Sequence, residues 1–273
     1  MLLRGRKAPL PAVLLLAVMP LDTEAPGVAV ASVDVVAGPV ERTAPGSGWK
    51  AANSGFRIRT GEQIRTGPDA LARIGFPFMS ILVGSSSTFS ISPSLVLSTS
   101  LQTGRVEQFA EGTEAIKLRT PEAEVRGGGR VVVRREEAGT RVAVLDGRFR
   151  VEAAGGVVSL ERGQGTMVAP GQHPSTAVSL PAPPTNLAPG NDPVYVQRGR
   201  PVSLSWTRGG SAHHIQVLGL HNDEILIDRD VGPSPAMVEI PWPGTYRWRV
   251  ATRDPRGLEG LPSKEGVVCV MEK

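Results

Sequence analysis

His213, His214, His221 and Asp223 form the closest grouping of metal-capable side chains in this chain. A zinc site needs three or four converging ligands. In a strand over 213–218, neighbouring side chains point to opposite faces, so His213 and His214 diverge. His221 and Asp223 then fall in the following turn. The pattern reads as exposed polar residues at a hairpin, and the alternative is a weak metal site built from His214 or His213 with His221. The paired acids Glu122 and Glu124 share one face of a strand, and Glu136 and Glu137 flank a turn. Both pairs read as solvated charges in preference to the two carboxylates of a glycosidase. Gly127–Gly128–Gly129 lacks the Gly-Lys-Ser/Thr ending and the following helix of a phosphate loop, so it reads as a turn. The serines between 80 and 100 show no Gly-x-Ser-x-Gly pattern. Arg126, Arg130, Arg134, Arg135, Arg148 and Arg150 are interspersed with glutamates, which suits a salt-bridged solvent face. No catalytic, cofactor-binding or metal residue is assigned, and no cofactor is expected.

The elements that must position these residues are short strands. Aromatic content is only 4%, while Gly (32) and Pro (24) are abundant, which disfavours long helices. The net charge is +4, but basic and acidic residues are interleaved in nearly equal number. A nucleic-acid binder concentrates its positive charge on one face, so nucleic acid is excluded as a partner. The single cysteine, Cys269, excludes an intramolecular disulfide and any multi-cysteine zinc site. It reads as a small buried hydrophobe within Val267–Met271.

At the amino end, Arg4, Arg6 and Lys7 precede the apolar run Ala12–Met19, and Ala29-Val-Ala31 offers a small-x-small cleavage site. The run is too short to span a bilayer, which needs roughly 20 apolar residues. Residues 1–31 therefore read as a secretory signal peptide, with an uncleaved anchor as the alternative. The mature chain is expected to be soluble and exported.

From 32 to 178 the pattern is steadily β, with apolar and charged residues alternating and a Gly closing most strands. An apolar-x-x-Gly unit recurs at Ile64–Gly67, Leu101–Gly104, Val144–Gly147 and Leu160–Gly163, as if strands wound around one core with a glycine at each corner. Gly61-Glu-Gln-Ile-Arg-Thr-Gly67, Leu101-Gln-Thr-Gly-Arg-Val106, Thr120-Pro-Glu-Ala-Glu-Val-Arg-Gly127, Val144-Leu-Asp-Gly-Arg-Phe-Arg-Val151 and Leu160-Glu-Arg-Gly-Gln-Gly165 stand in the order found in the FecR domain, which this half of the chain resembles. The resemblance implies an all-β, solenoid-like extracytoplasmic domain of a Gram-negative bacterium. The best-known members are transmembrane regulators that relay an outer-membrane receptor signal to a cytoplasmic sigma factor. Two departures stand out. Gly128 replaces the threonine usual after Arg-Gly, and only a few residues precede the apolar run where those regulators carry a cytoplasmic domain. The resemblance thus carries fold and compartment, while the sigma-factor mechanism is not expected here.

Residues 179–193 contain five prolines and read as a semi-rigid linker. From 194 to 273, about seven short strands in roughly 80 residues suggest a β-sandwich. Thr245–Val250 places Tyr246, Trp248 and Val250 on one face, and Arg247 and Arg249 on the other. Pro243-Gly-Thr-Tyr-Arg-Trp-Arg-Val250 and Thr252-Arg-Asp-Pro-Arg-Gly-Leu-Glu-Gly260 resemble a fibronectin type III-like module, which implies that Trp206 packs in the core. The expected architecture is all-β: a FecR-like solenoid or roll, then an immunoglobulin or fibronectin III-like sandwich. The expected function is non-enzymatic, a binding or scaffold module of the periplasm whose partner is a protein or an envelope component. Two alternatives stand beside it: an accessory part of envelope signalling working with a separate membrane partner, and a polysaccharide-active enzyme.

Overall fold

The computed structural model describes residues 29–92, 98–112, 116–207, 209–220 and 224–272. The leader segment 1–28, His221 and Asp223 lie outside the described residues. Among those described, all regular structure is strand, and no helix is long and apolar enough to cross a membrane.

The first unit comprises β1 (Ala29–Ala37), β2 (Val40–Thr43), β3 (Lys50–Ala51), β4 (Phe56–Arg59), β5 (Gln63–Thr66), β6 (Leu71–Gly75), β7 (Met79–Val83) and β8 (Thr88–Ile91). The long strands β9 (Thr99–Ala110), β11 (Glu124–Glu136) and β12 (Gly139–Ala153) come next, with β10 (Ile116–Arg119), β13 (Gly156–Glu161), β14 (Gln164–Val168) and β15 (Val178–Ser179). All fifteen belong to one hydrogen-bonded sheet, with the main path β15-β14-β12-β11-β10-β9-β7-β6-β1-β4. The sheet curls because each long strand changes partner along its length. On one side β9 pairs first with β8 and then with β7. Likewise β11 pairs with β10 and then β9, and β12 with β14 and then β13. The inward side chains, among them Ile58, Ile74, Phe89, Leu101, Val125, Val144 and Phe149, fill one core.

Glycines sit where those strands switch partners. Gly104 has φ +93°, and a Cβ there would lie 2.1 Å from Ser87 Oγ. Gly147 has φ +81°, and a Cβ would lie 2.0 Å from the Gly128 carbonyl oxygen. Any side chain would force β11 and β12 apart at this point. The run 127–129 is interior to β11, and the expected turn is corrected: a close backbone approach, not a chain reversal, demands Gly127 and Gly129.

The second unit holds β16 (Thr185–Ala188), β17 (Val194–Gln197), β18 (Val202–Thr207), β19 (Ala212–Gly219), β20 (Ile225–Val231), β21 (Ala236–Val238), β22 (Gly244–Arg253) and β23 (Gly266–Met271). They form two sheets, β16-β18-β21 and β17-β23-β22-β19-β20. Between them lie Leu204, Trp206, Val217, Tyr246, Trp248, Val250 and Val268. The ring centroids of Trp206 and Trp248 are 6.4 Å apart, and Trp248 Nε1 donates to the Pro189 carbonyl at 3.0 Å.

Two segments at the expected boundaries contain hydrogen-bonded backbone. Ala29 and Ala31 already pair with Arg59 and Ile58, and Ala31 is buried. In the proline-rich segment, the Leu180 amide donates to Gly163, Thr185–Ala188 joins the sandwich as β16, and Gly190 accepts from the Val267 amide. The residues between the prolines keep their N–H groups, so this stretch can pair at a sheet edge.

Candidate functional site

The outer face of β9 and β11 meets the outer face of β19, β20 and β22. Alternation sends Arg105, Glu107 and Arg134 from the first unit into this junction. His214, Gln216, Asp228 and Asp230 enter it from the second, with Glu259 from the segment after β22. Arg105, only 3% exposed, is the hub. Its Nε and Nη2 donate to both oxygens of Glu259 at 2.9 and 2.7 Å, and its Nη1 to Asp228 at 3.1 Å. Nη2 also reaches Glu107 at 3.1 Å. Beside it, Arg134 grips both oxygens of Asp230 at 2.8 and 2.9 Å. Gln216 donates to Glu107 at 2.7 Å and to Asp228 at 2.8 Å, and accepts from Arg249 at 2.7 Å. Arg130 holds the other oxygen of Glu107 at 2.6 Å, and Arg253 pairs with Glu136 across the junction.

His214 is clasped by two carboxylates, with Nε2 2.9 Å from Asp228 and Nδ1 2.8 Å from Asp230. Both ring nitrogens face acceptors, which only the imidazolium can satisfy. Burial and the Arg105 charge push its pKa down, but Asp228 and Glu259 prevail and raise it to about 9. Burial alone would raise the carboxylates. Arg130, Arg105 and Arg249 instead hold Glu107 at about 2. Arg105 and His214 hold Asp228 at about 2, and they hold Glu259 there with help from Arg134. Asp230 is also held well below the carboxylate range: burial opposes this, but hydrogen bonds and charge from His214 and Arg134 outweigh it.

These values decide what the cluster can do. A general acid or base works best with a pKa near the operating pH. Here the carboxylates stay ionised and the imidazole stays protonated across the neutral range, and each is consumed by a counter-charge. The arrangement suits a clamp between two units. A small apolar contact adjoins it, in which Leu180 and Leu261 pack on Val132, Ala143 and Leu145.

The histidine pair occupies the opposite faces that alternation predicts, but the expectation of exposure is corrected. His213 is buried against Trp206, with ring centroids 4.9 Å apart, and its Nδ1 lies 3.1 Å from the Gly232 carbonyl oxygen. Burial lowers its pKa, which favours the neutral ring. His214 is buried because the first unit covers its face. Among the described residues no group of three or more His, Cys, Asp or Glu side chains could hold a metal ion. Glu122 is bound by Arg135 and Thr140, Glu124 by Arg119 and Arg126, and Glu136 by Arg253 and Arg141, while Glu137 is exposed. The arginines split: Arg126, Arg148 and Arg150 form the exposed ion pairs expected of a solvent face, while Arg134 is buried at the junction. Cys269 is half-buried, its Sγ 3.3 Å from Thr245 Oγ1.

The junction had faint signals in sequence. Arg105-Val-Glu107 and Asp228-Arg-Asp230 place pairs of charges two residues apart, hence on one strand face. Nothing in either stretch marks that face as covered.

The fold and site thus define an all-β protein of a curled sheet and a sandwich-like pair of sheets, joined through a buried ionic junction. No protein-family model matches the chain, and no curated protein matches it. Two crystal structures of a "putative anti-sigma factor" from Parabacteroides distasonis are similar over 43% of this chain, at 16% and 15% identity and a TM-score of 0.37 in each case. The chain spans 59% of the length of each.

Proposed function

We propose that this chain is a non-enzymatic, exported binding or scaffold module of the cell envelope, working in the periplasm on a protein or another envelope component. The observation that carries this reading is the saturated ion network around Arg105. The densest set of acid–base groups in the described chain is spent on holding two units together, at pKa values remote from neutral. What such a body offers is a rigid surface. A FecR-like first domain is supported by the five ordered motifs and by the curled sheet that their glycines permit. A fibronectin III-like second domain is supported by its two-sheet strand order. It is supported too by Tyr246, whose hydroxyl donates back to the Trp242 and Pro243 carbonyls at 3.1 and 3.2 Å, the corner contact of immunoglobulin-like sandwiches.

A second reading, an accessory part in envelope signalling beside a separate membrane partner, is favoured by the motif order. Affinity capture of the full mature chain from envelope extracts, with partners identified by mass spectrometry, tests both. Reproducible recovery of a scaffold or transport component supports the first, and of a membrane-spanning regulator the second. Turnover of envelope polysaccharide by the purified protein would overturn both.

A further inference from the structure

A second cleft between the two units has a different character from the ionic junction. The cleft beside Arg105, about 440 Å³, is lined largely by charges already paired with one another. The other, about 410 Å³, lies between β1 and the β20–β22 side of the sandwich. Among the described residues, its charged lining is Asp34 and Glu224, and its aromatic wall is Trp242 and Tyr246.

The backbone at Trp242 is held in place, and the side chain is left largely open to water. It stands between Pro241 and Pro243, whose rings fix the backbone on either side. Its carbonyl accepts from the Tyr246 hydroxyl at 3.1 Å, and the Pro241 carbonyl accepts from Arg198 at 3.0 Å. Yet the indole is 43% exposed, among the few large apolar side chains that face water. Asp34 projects from the exposed face of β1 and has no ion-pair partner among the described residues. Arg73 lies opposite it in register, but that guanidinium is turned to Glu224 Oε1 at 2.8 Å and the Ile225 carbonyl at 3.3 Å. One carboxylate without an ion-pair partner among the described residues therefore lines the same cleft as the Trp242 indole.

We propose that this cleft receives a lysine or arginine side chain from a protein partner. The warrant is complementarity of charge and of π-face. A cation over an indole gains electrostatic attraction from the ring, and Asp34 supplies the counter-charge. The flanking prolines already restrict the Trp242 backbone, so less ordering opposes binding. The cleft is open to solvent, which suits a side chain anchored elsewhere by its own protein better than a free small molecule needing enclosure. The proposal rests on the reading of the chain as a binding module and adds the chemistry of its partner.

The test uses the full mature chain and monitors indole N–H signals by NMR. Short glycine–serine peptides with one central Lys, Arg, Glu or Leu are titrated in. The Lys and Arg peptides should shift the Trp242 signal saturably and leave those of the core residues Trp206 and Trp248 in place. Asp34→Asn and Trp242→Phe should keep those core signals. Asp34→Asn should weaken the Lys peptide about two- to fivefold. Trp242→Phe removes the reporter signal and thereby assigns it. Equal shifts from all four peptides, or none, would overturn the proposal. Cadaverine binding as tightly as the Lys peptide would also overturn it, by placing a free amine in the cleft. A negative titration would leave partner capture from envelope extracts unaffected, so the two readings fail separately.

Discussion

At the scale of single residues, His214 ties stability to pH. Its folded pKa of about 9 lies above the ordinary 6.5 because the Asp228 and Glu259 charges outweigh burial and the Arg105 charge. A group raised in the folded state contributes in full below its unfolded value, and the contribution fades as pH climbs through the folded value. Stability should therefore decline between about pH 6.5 and 9, by on the order of 3 kcal/mol if the shift is fully expressed. Chemical denaturation of wild type and His214→Gln across that range checks it: the variant should be less stable at pH 6 and nearly flat to pH 9. A second expectation concerns β22. Trp248 is 1% exposed in the sandwich core, so Trp248→Ala should cost about 3–5 kcal/mol. Alternation made that face legible in sequence, but it left the opposite face ambiguous. Arg249 is only partly exposed: it donates to Gln216, and its charge helps to hold Glu107 ionised. Arg249→Ala should cost about 1–3 kcal/mol by stranding the Gln216 carbonyl oxygen, and Arg247→Ala, in a half-exposed pair with Glu265, about 1 kcal/mol or less. Equal costs for the two arginines, by urea denaturation, would mean that the junction contributes nothing at Arg249.

At the scale of elements, the strands were legible wherever one face is apolar and a glycine closes the run, as in Leu101–Gly104 and Val144–Gly147. The ends of elements were not. Proline content suggests a semi-rigid linker over 179–193, and within it Thr185–Ala188 pairs with β18. Small residues at 29–31 suit a cleavage motif, and the same smallness lets Ala31 sit buried opposite Ile58. A peptidase motif and a tightly packed strand start use the same residue types, so composition cannot separate them. The structure makes a measurable difference here. A chain beginning at Ser32 loses the first pairs of β1 with β4 and should be about 1 kcal/mol less stable than one beginning at Ala29. That corresponds to a melting temperature lower by roughly 2–4 °C for a protein of this size. Identical melting curves for the two would show that 29–31 adds nothing to the fold.

At the scale of the molecule, the question is whether two cores behave as one body. The curled sheet and the sandwich each bury their own apolar cluster, and sequence patterning reports such clusters well. It does not report a junction made of charges, because a buried arginine and a solvated one look alike in a sequence. Arg105 is such a buried arginine. Its guanidinium faces Glu107, Asp228 and Glu259, all nearly inaccessible to water. Replacing it by methionine keeps the volume and removes the charge, so three carboxylates lose their central partner inside the protein. Breaking a buried ion network from one side typically costs about 3–5 kcal/mol, far more than an exposed pair. Most of that penalty vanishes if the units part and the carboxylates hydrate. The wild type should therefore unfold in one cooperative transition, with tryptophan fluorescence and far-UV circular dichroism coinciding. Arg105→Met should split it, with the junction opening first and the two cores melting separately. The difference should persist at high salt, because screening acts mainly on exposed charges. The exposed pair Arg148–Glu161 provides the control, and Arg148→Met should leave a single transition. Two separate transitions in the wild type would show that the ionic junction does not couple the units.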